Sequence, residues 1–135
     1  MECTFLILLG SDTSDETYET VAGLVKVIGK ESISILDAPL FAVNRILVPM
    51  LNEAILVLSE GLATAEDIDK GMMFGANHPI GLALADLIGL DTLLFVAETL
   101  FEETGDSKYR VPQLLRKQVR AGRLGRKSGR GFYEY

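Results

Sequence analysis

Residues 39–54 read PLFAVNRILVPMLNEA, and this stretch decides the fold because its apolar residues predict a long helix. The spacing between successive apolar positions is four, three, four and four residues, which places them on one helical face. We expect that face to point into the core, and its members are Val43, Leu47, Met50, Ala54 and Leu58.

Polar and helix-breaking residues also occur in this stretch. Pro49 cannot donate a hydrogen bond to the carbonyl of Arg45, so we expect a kink there. Gly61 is expected to end the helix. Asparagine is disfavoured in helix interiors, so Asn44 and Asn52 each need a hydrogen-bonding partner or a function.

A second helix is predicted after this one. Thr64 supplies a hydroxyl cap and acids follow in the first turn, which is typical of a helix start. Residues 75–79 (GANHP) predict the turn that follows it. The expected inward face of this second helix is Ala65, Ile68 and Met72.

Three more helices are predicted in the remaining sequence. A short one covers 83–88, and a longer one that Asp91 could cap runs to Gly105. Pro112 suits the first turn of the last helix. Leu94, Ala97 and Phe101 are expected to face inward from the longer helix, and Leu115 and Val119 from the last.

The front of the chain has a different pattern. Residues 4–9 (TFLILL) form a short apolar run that suits a strand buried on both faces. Residues 13–16 (TSDE) predict a capping box with Thr13 as the cap, and Gly29 ends the helix that follows. Residues 32–35 (SISI) alternate as a strand does. Strand, helix and strand predict a βαβ unit with parallel strands, and one such unit cannot bury its own faces.

Composition narrows the class of protein. With 135 residues, 48% of them apolar, the chain suits one domain, or one domain plus a fragment, with a real core. One cysteine and one histidine exclude an internal disulfide and argue against a metal site. No apolar run reaches eighteen residues and residues 1–9 lack signal-peptide features. We therefore expect a soluble, cytoplasmic protein that binds no metal and no membrane.

Charge is unevenly distributed along the chain. From Lys108 onward there are nine Lys or Arg and one acid, whereas residues 1–106 hold four Lys or Arg and eighteen acids. The acidic average argues against nucleic-acid binding, although the basic end could hold one anion. Residues 120–135 (RAGRLGRKSGRGFYEY) permit two readings. They suit a solvated flexible tail, or a segment ordered by its glycines, Leu124 and its aromatic end.

Catalytic and nucleotide-binding motifs are weak. The sequence contains no G-x-G-x-x-G segment and no G-x-x-x-x-G-K-[ST] segment. Residues 125–129 (GRKSG) lack the preceding strand that a phosphate loop requires. His78 precedes a proline in a predicted turn, where a structural role is favoured. These features alone indicate a soluble helical domain with an α/β fragment.

Five stretches together resemble the C-terminal domain of 3-hydroxyacyl-CoA dehydrogenases, closest to the bacterial 3-hydroxybutyryl-CoA type. They occur in the family's order and with near-family spacing, and residues 10–37 resemble the last helix and strand of its dinucleotide-binding domain. The five stretches are 39–54, 63–70 (ATAEDIDK), 75–81 (GANHPIG), 85–91 (ADLIGLD) and 125–133 (GRKSGRGFY).

The resemblance implies a mainly α fold with two parts. Residues 1–38 would be a remnant of the Rossmann-type NAD-binding domain, and residues 39–135 the helical C-terminal domain. It implies NAD-dependent oxidation of a 3-hydroxyacyl-CoA to the 3-oxoacyl-CoA, in fatty acid or butanoate metabolism, with a base that removes the hydroxyl proton. It also implies an acyl-CoA substrate and a homodimer built on the helical domain, through the helices over 43–58 and 91–104.

The resemblance places two site residues on this chain. Asn44 matches the family's active-site Asn, which hydrogen-bonds near the reacting substrate oxygen, with helix capping as the alternative role. Lys127 matches a tail Lys that approaches the NAD site, with a surface Lys as the alternative. Arg126, Ser128 and Arg130 have no assigned role.

Other family positions depart from the pattern. The family's catalytic His lies upstream of this sequence, so His78 is not that residue, and the Glu position falls on Leu6. Leu40 replaces a Gly, and Gly81 with Leu82 replaces a Gly-Pro pair. We therefore expect the chain alone to be inactive and to bind no NAD tightly.

Two explanations of the short sequence stay open. It is a truncated full-length enzyme, or it is a natural short non-catalytic partner of that enzyme. In either case, the front strands would lack their sheet, so we expect them to pair with another copy or to be poorly ordered.

Overall fold

The computed structural model describes residues 5–78 and 81–135, and most of them are helical. This confirms the predicted mainly α fold with a βαβ unit at the front. Two 3₁₀ turns, Ser107–Tyr109 and Arg126–Ser128, accompany the longer elements. Those are β1 (Phe5–Leu9), α1 (Asp15–Val27), β2 (Ser32–Leu36), α2 (Phe41–Ser59), α3 (Ala65–Ala76), α4 (Leu82–Ile88), α5 (Leu90–Thr104) and α6 (Gln113–Arg120).

The chain divides into two units, Met1–Ala42 and Val43–Tyr135. In the first unit, β1 and β2 form a two-stranded parallel sheet in which Ile7 lies opposite Ser34. The connection through α1 is the predicted βαβ unit. Thr4, included in the predicted first strand, lies outside the described residues.

The cap of α1 differs by one residue from the prediction. Ser14, in an extended conformation, is the N-cap, and its Oγ accepts a hydrogen bond from the Thr17 backbone N–H at 3.2 Å. Thr13 therefore does not cap the helix. Gly29 follows the helix with a φ of +72°, a left-handed conformation that glycine adopts easily, as predicted.

The first unit leaves much apolar surface uncovered. Ile7 and Val25 are buried, whereas Ile33 and Leu36 on β2 are exposed. Burial on both faces was predicted for the strand over 4–9, of which Ile7 is buried and Leu9 is half-buried. The exposure of β2 arises because a two-stranded sheet with one helix covers too little surface.

The long helix α2 buries a different face from the predicted one. Its buried residues are Val48, Leu51, Asn52 and Ile55, while Val43 is exposed and the rest of the predicted stripe is half-buried. The helix is apolar on several faces, so the spacing alone could not identify the buried one. By length and composition α2 is apolar enough to cross a membrane, although a single such helix is weak evidence for a span.

Asn52 is the buried polar residue of α2. Its Nδ2 donates to the backbone carbonyl of Arg110 at 3.2 Å, which ties the helix to the loop before α6. Nearby, Arg45 Nε donates to the hydroxyl of the buried Tyr109 at 3.3 Å. The bond to Arg110 satisfies the Asn52 amide donor, whereas the Asn52 Oδ1 is buried without a hydrogen-bond partner among the described residues.

The start of α3 follows the prediction and its end does not. Thr64 Oγ1 accepts from the Asp67 backbone N–H at 3.2 Å and donates to its carboxylate at 2.7 Å. Gly75 and Ala76, predicted as a turn, belong to the helix, which ends at the left-handed Asn77. Pro79, the end of that predicted turn, lies outside the described residues.

The inward faces of the last helices are partly as predicted. In α5 the buried residues are Leu90, Leu93, Ala97 and Leu100, so the predicted burial of Leu94 and Phe101 is wrong. Ala97 is buried as predicted, whereas Leu93 and Leu100 are buried in place of Leu94 and Phe101, which leaves Phe101 44% exposed. Gly89, not Asp91, is the N-cap of α5, and Gly105 ends it. Leu115 is buried in α6, as predicted.

Candidate functional site at the carboxyl-terminal hairpin

Residues 122–135 form an ordered hairpin, called the C-terminal hairpin below. Asp86 on α4, only 1% exposed, holds it in place. The carboxylate accepts hydrogen bonds from the backbone N–H groups of Phe132 (3.0 Å) and Tyr133 (2.9 Å). The Tyr135 hydroxyl donates to the same carboxylate at 3.2 Å. Of the two readings of the basic tail, the ordered one is therefore correct.

Two glycines let the hairpin approach Asp86. Gly125 has φ +93° and ψ −150°, a conformation that is essentially restricted to glycine. A Cβ at Gly125 would lie 2.7 Å from the Asp86 Cα, and a Cβ at Gly131 would lie 2.5 Å from the Asp86 Cγ. The carboxylate and the glycines therefore form one interlocking contact.

A second carboxylate, Asp69 on α3, joins three elements. It accepts from the backbone N–H groups of Leu82 (2.5 Å) and Ala83 (2.9 Å), which satisfies the amino end of α4. It also accepts from the Tyr133 hydroxyl at 2.8 Å. Burial, and then this hydrogen bond, raise the pKa of the Tyr133 hydroxyl, so Tyr133 is neutral and acts as a donor.

Lys127 lies in the 3₁₀ turn of the C-terminal hairpin. Hydrogen bonds from side chains and from the backbone hold this turn in place. The Leu124 N–H donates to Ser128 Oγ at 2.8 Å, and the Ser128 hydroxyl lies 2.9 Å from the Arg130 carbonyl. The Leu90 N–H donates to the Leu124 carbonyl at 3.1 Å, which joins the hairpin to the start of α5. Ser128 thus acquires a structural role that the sequence did not assign.

The ammonium of Lys127 is paired with a carboxylate. Its Nζ lies 2.5 Å from Asp91 Oδ1, with the two side chains 46% and 40% exposed. The hydrogen bond from Lys127 is the main cause that lowers the pKa of the Asp91 carboxyl, and burial partly opposes it. Lys127 is therefore positioned and half-accessible, and its role at a cofactor stays a prediction.

Asn44 lies in the first turns of α2 and is half-buried. It is the fourth residue of the helix, so it is not the N-cap, and the capping alternative is wrong. Among the described residues its amide makes no side-chain hydrogen bond. Asn44 and Lys127 lie on separate elements and do not contact each other.

The sequence also singled out His78, Leu6 and Leu40. His78 is exposed after the left-handed Asn77, and its backbone N–H donates to the Met72 carbonyl at 3.1 Å. Leu6 lies on β1, paired with Ile33 on β2. Leu40 has a φ of +53°, a conformation that favours the glycine of the family pattern.

Sequence reasoning missed Asp86 and Asp69. The available signal was an acid within 82–88 (LALADLI), an otherwise apolar helix, since a buried carboxylate requires hydrogen-bond donors. Nothing in the spacing indicated that the donors would come from the last four residues.

Two solved structures are similar to this chain over nearly its whole length. A crystal structure of (S)-3-hydroxybutyryl-CoA dehydrogenase from Ralstonia eutropha is 56% identical, with a TM-score of 0.91 over 96% of this chain and 46% of that one. A Mycobacterium tuberculosis structure is 42% identical, with a TM-score of 0.90 over 98% of this chain and 47% of that one.

Curated relatives agree with the structures. A probable 3-hydroxybutyryl-CoA dehydrogenase of Bacillus subtilis is 53% identical over 130 residues, 96% of this chain and 45% of the relative. The chain thus spans about half the length of the curated relatives that it matches. Residues 41–135 match the family described as 3-hydroxyacyl-CoA dehydrogenase, C-terminal domain. The chain therefore belongs to the 3-hydroxyacyl-CoA dehydrogenase family and carries its helical C-terminal domain.

Proposed function

We propose that this chain supplies the substrate-side half of an NAD-dependent 3-hydroxyacyl-CoA dehydrogenase, with 3-hydroxybutyryl-CoA as the first substrate to test. The observation that carries the proposal is the match of residues 41–135 to the family's C-terminal domain. The relatives named 3-hydroxybutyryl-CoA dehydrogenase support the substrate. The expected location is the cytoplasm, where such a soluble enzyme would act.

Asn44 carries the proposed role at the substrate. Its amide is half-buried and lacks a partner among the described residues, so it can orient the 3-oxygen of the acyl group by a hydrogen bond. Such a bond lowers the barrier when it strengthens as the hydroxyl becomes a carbonyl. The hydroxyl proton must pass to a base outside this chain, since Asn44 cannot accept it.

Lys127 carries the proposed role at the cofactor. When bound, NAD accepts the hydride that leaves C3 of the substrate. The half-exposed ammonium on the fixed hairpin suits a contact with one edge of a dinucleotide. The chain contains no G-x-G-x-x-G segment, which is the motif that binds the pyrophosphate of a dinucleotide. Its own residues would therefore contact only one edge of the NAD molecule.

The isolated chain is expected to form no NADH from 3-hydroxybutyryl-CoA and NAD. The glycine fingerprint and the family's His motif are absent from the sequence, and Leu6 stands at the Glu position. Absorbance at the NADH band during incubation of pure chain with both compounds measures this. Turnover comparable with that of a full-length relative would contradict the proposal.

The positive arm is a hybrid in which residues 41–135 of this chain replace the matching C-terminal domain of the Bacillus subtilis relative, so that the relative keeps its own residue at the position of Leu6. We expect the hybrid to oxidise 3-hydroxybutyryl-CoA. A folded hybrid that binds NAD but turns over no acyl-CoA would reject the substrate-side role and favour a non-catalytic partner.

We also propose a homodimer built on the helical unit. The groove between α2 and α3, of about 280 Å³, is lined mainly by apolar side chains. The same helices also carry exposed apolar side chains, including Ile46, which is 66% exposed, and Phe74, which is 84% exposed. A stable interface of more than about 1,000 Å² would cover such a surface. The groove residues are Met50, Glu53, Ala54, Val57, Ile68 and Met72.

Ile46→Glu is expected to convert the dimer to a monomer, because it places a charge in a desolvated apolar interface. Light scattering at micromolar concentration measures the mass of both proteins. Leu24→Glu on α1 is the matched control, since Leu24 is 62% exposed and Ile46 is 66% exposed. A monomeric parent chain, or equal masses for both variants, would refute the proposed interface.

A further inference from the structure

Pro49 interrupts α2 between the segment that bears Asn44 and the rest of the helix. Proline has no backbone N–H, so the Arg45 carbonyl loses the hydrogen bond that it would otherwise accept within the helix. Residues 43–48, called the Asn44 segment below, lie before this break, and Val48 is the only one of them that is fully buried. Helical bonds and burial therefore hold this segment less firmly than the rest of α2.

Two successive loop residues contact α2 on both sides of Pro49. Before the break, Arg45 Nε donates to the Tyr109 hydroxyl at 3.3 Å. After it, Asn52 Nδ2 donates to the Arg110 carbonyl at 3.2 Å. Positions 45 and 52 are two helical turns apart and so lie on one face of α2. The loop thus bridges the break.

The loop is the fixed partner in these contacts. The Tyr109 side chain is only 1% exposed, whereas Arg45 is exposed. The 3₁₀ turn that ends at Tyr109 is closed by Asp106, whose carbonyl accepts from the Tyr109 N–H at 3.1 Å and whose Oδ1 accepts from the Lys108 N–H at 3.0 Å. The Lys108 ammonium lies 4.9 Å from the centre of the Tyr109 ring. A hydroxyl on a ring held in this way is a fixed point for Arg45.

We propose that Tyr109 is a positioning residue for Asn44. Its hydroxyl holds Arg45, the next residue along the chain, and thereby sets the orientation of the turn from which the Asn44 amide meets the substrate. The inference rests on the proposed function, in which Asn44 orients the 3-oxygen of the acyl group. Tyr109 acts through Arg45 and performs no chemical step itself.

A positioning role predicts a particular kinetic effect. The bond from Asn44 lowers the barrier only as far as it strengthens in the transition state, so a displaced amide lowers kcat more than it raises KM. Small displacements of a group that contacts the reacting atoms are enough to cost rate.

Amide hydrogen exchange of the full chain, followed by NMR, tests the structural half of the inference. Tyr109→Phe keeps the buried ring and removes only the hydroxyl. We expect exchange at residues 45–48 to accelerate at least about fivefold, while exchange at 53–58 stays unchanged. Arg116→Met is the matched control, because it removes a guanidinium contact between α6 and Glu98 on α5, and it should leave residues 45–48 unchanged.

Turnover in the hybrid enzyme tests the catalytic half. Tyr109→Phe should lower kcat for 3-hydroxybutyryl-CoA by about tenfold and change KM by less than about twofold. Arg45→Met should cause the same loss, and the double variant should lose no more than either single one, because both remove the same bond. Added to Asn44→Ala, Tyr109→Phe should cause no further loss of kcat, whereas a merely structural role would lower it again.

Three results would overturn the inference. They are unchanged exchange at residues 45–48 in Tyr109→Phe, a further tenfold loss when Tyr109→Phe is added to Asn44→Ala, and a normal kcat for Tyr109→Phe in a hybrid that Asn44→Ala impairs. The last of these would leave the proposed function standing. A parent hybrid without turnover would instead reject the proposed function, and the exchange measurement, which uses neither NAD nor acyl-CoA, would still decide whether Tyr109 holds the Asn44 segment.

Discussion

Asp86→Ala is expected to lower the free energy of unfolding by about 3–5 kcal/mol, the largest loss from any single side chain discussed here. The substitution removes the acceptor for two backbone N–H groups and the Tyr135 hydroxyl. Asp86 is only 1% exposed and Phe132 and Tyr133 are half-buried, so their two backbone N–H groups lose a partner where water has little access, which costs much of the desolvation penalty. The C-terminal hairpin should therefore detach from α4.

Urea unfolding followed by circular dichroism measures this loss. Glu103→Ala is the matched control, because Glu103 is an exposed acid on α5 and its removal should change stability by less than about 0.5 kcal/mol. Equal midpoints for the two variants would show that Asp86 does not hold the hairpin.

Gly125→Ala is expected to destabilise the helical unit by about 3 kcal/mol. Two costs combine, because Gly125 has a conformation that alanine avoids and its Cβ would collide with the Asp86 backbone. Gly122→Ala is the matched control, since Gly122 has a φ of +70° but no atom within 4 Å of a built Cβ. Alanine there should cost only about 1 kcal/mol.

The difference between the two glycine variants isolates the close approach of hairpin and helix. Thermal and urea unfolding of both proteins provide the comparison. If Gly125→Ala costs no more than Gly122→Ala, the hairpin does not pack against α4 as described. Loss of the amide signals of residues 130–135 in Gly125→Ala alone would locate the damage at this contact.

Helix ends were the part of the fold that local sequence predicted well. Thr64, Gly29 and Gly105 act through hydrogen bonds and backbone conformations within one or two turns, so their effect is visible in the neighbouring letters. The N-cap of α1 is Ser14 and not the predicted Thr13. Local sequence could not separate the two, since adjacent Thr and Ser can both cap a helix.

Buried faces were predicted less well, because they depend on partners that are distant in sequence. In α2, apolar residues occupy several faces, and the packing partners decide that Val48 and Ile55 are buried while Val43 is exposed. In α5, Ala97 is buried as predicted, whereas Leu93 and Leu100 are buried in place of Leu94 and Phe101 for the same reason. The spacing of apolar residues predicts that a segment is helical, but it does not by itself predict which face of the helix is buried.

The candidate site was predictable only through family resemblance. Composition gave no reason to select Asn44 over Asn52, and the structure separates them, since Asn52 bonds to Arg110 while Asn44 makes no side-chain hydrogen bond among the described residues. Lys127 was one of nine basic residues from Lys108 onward. Its partner Asp91 appears only when the hairpin folds against α5.

The most direct test of the account is the effect of Asn44 on turnover in the hybrid enzyme. Asn44→Ala should lower kcat/KM for 3-hydroxybutyryl-CoA by about 10²-fold, because one hydrogen bond to the reacting oxygen is lost in the transition state. Lys117→Ala, on the exposed face of α6, is the control and should retain the parent value. An Asn44→Ala hybrid with the kcat/KM of its parent would contradict the central claim that this chain forms the substrate side of the active site.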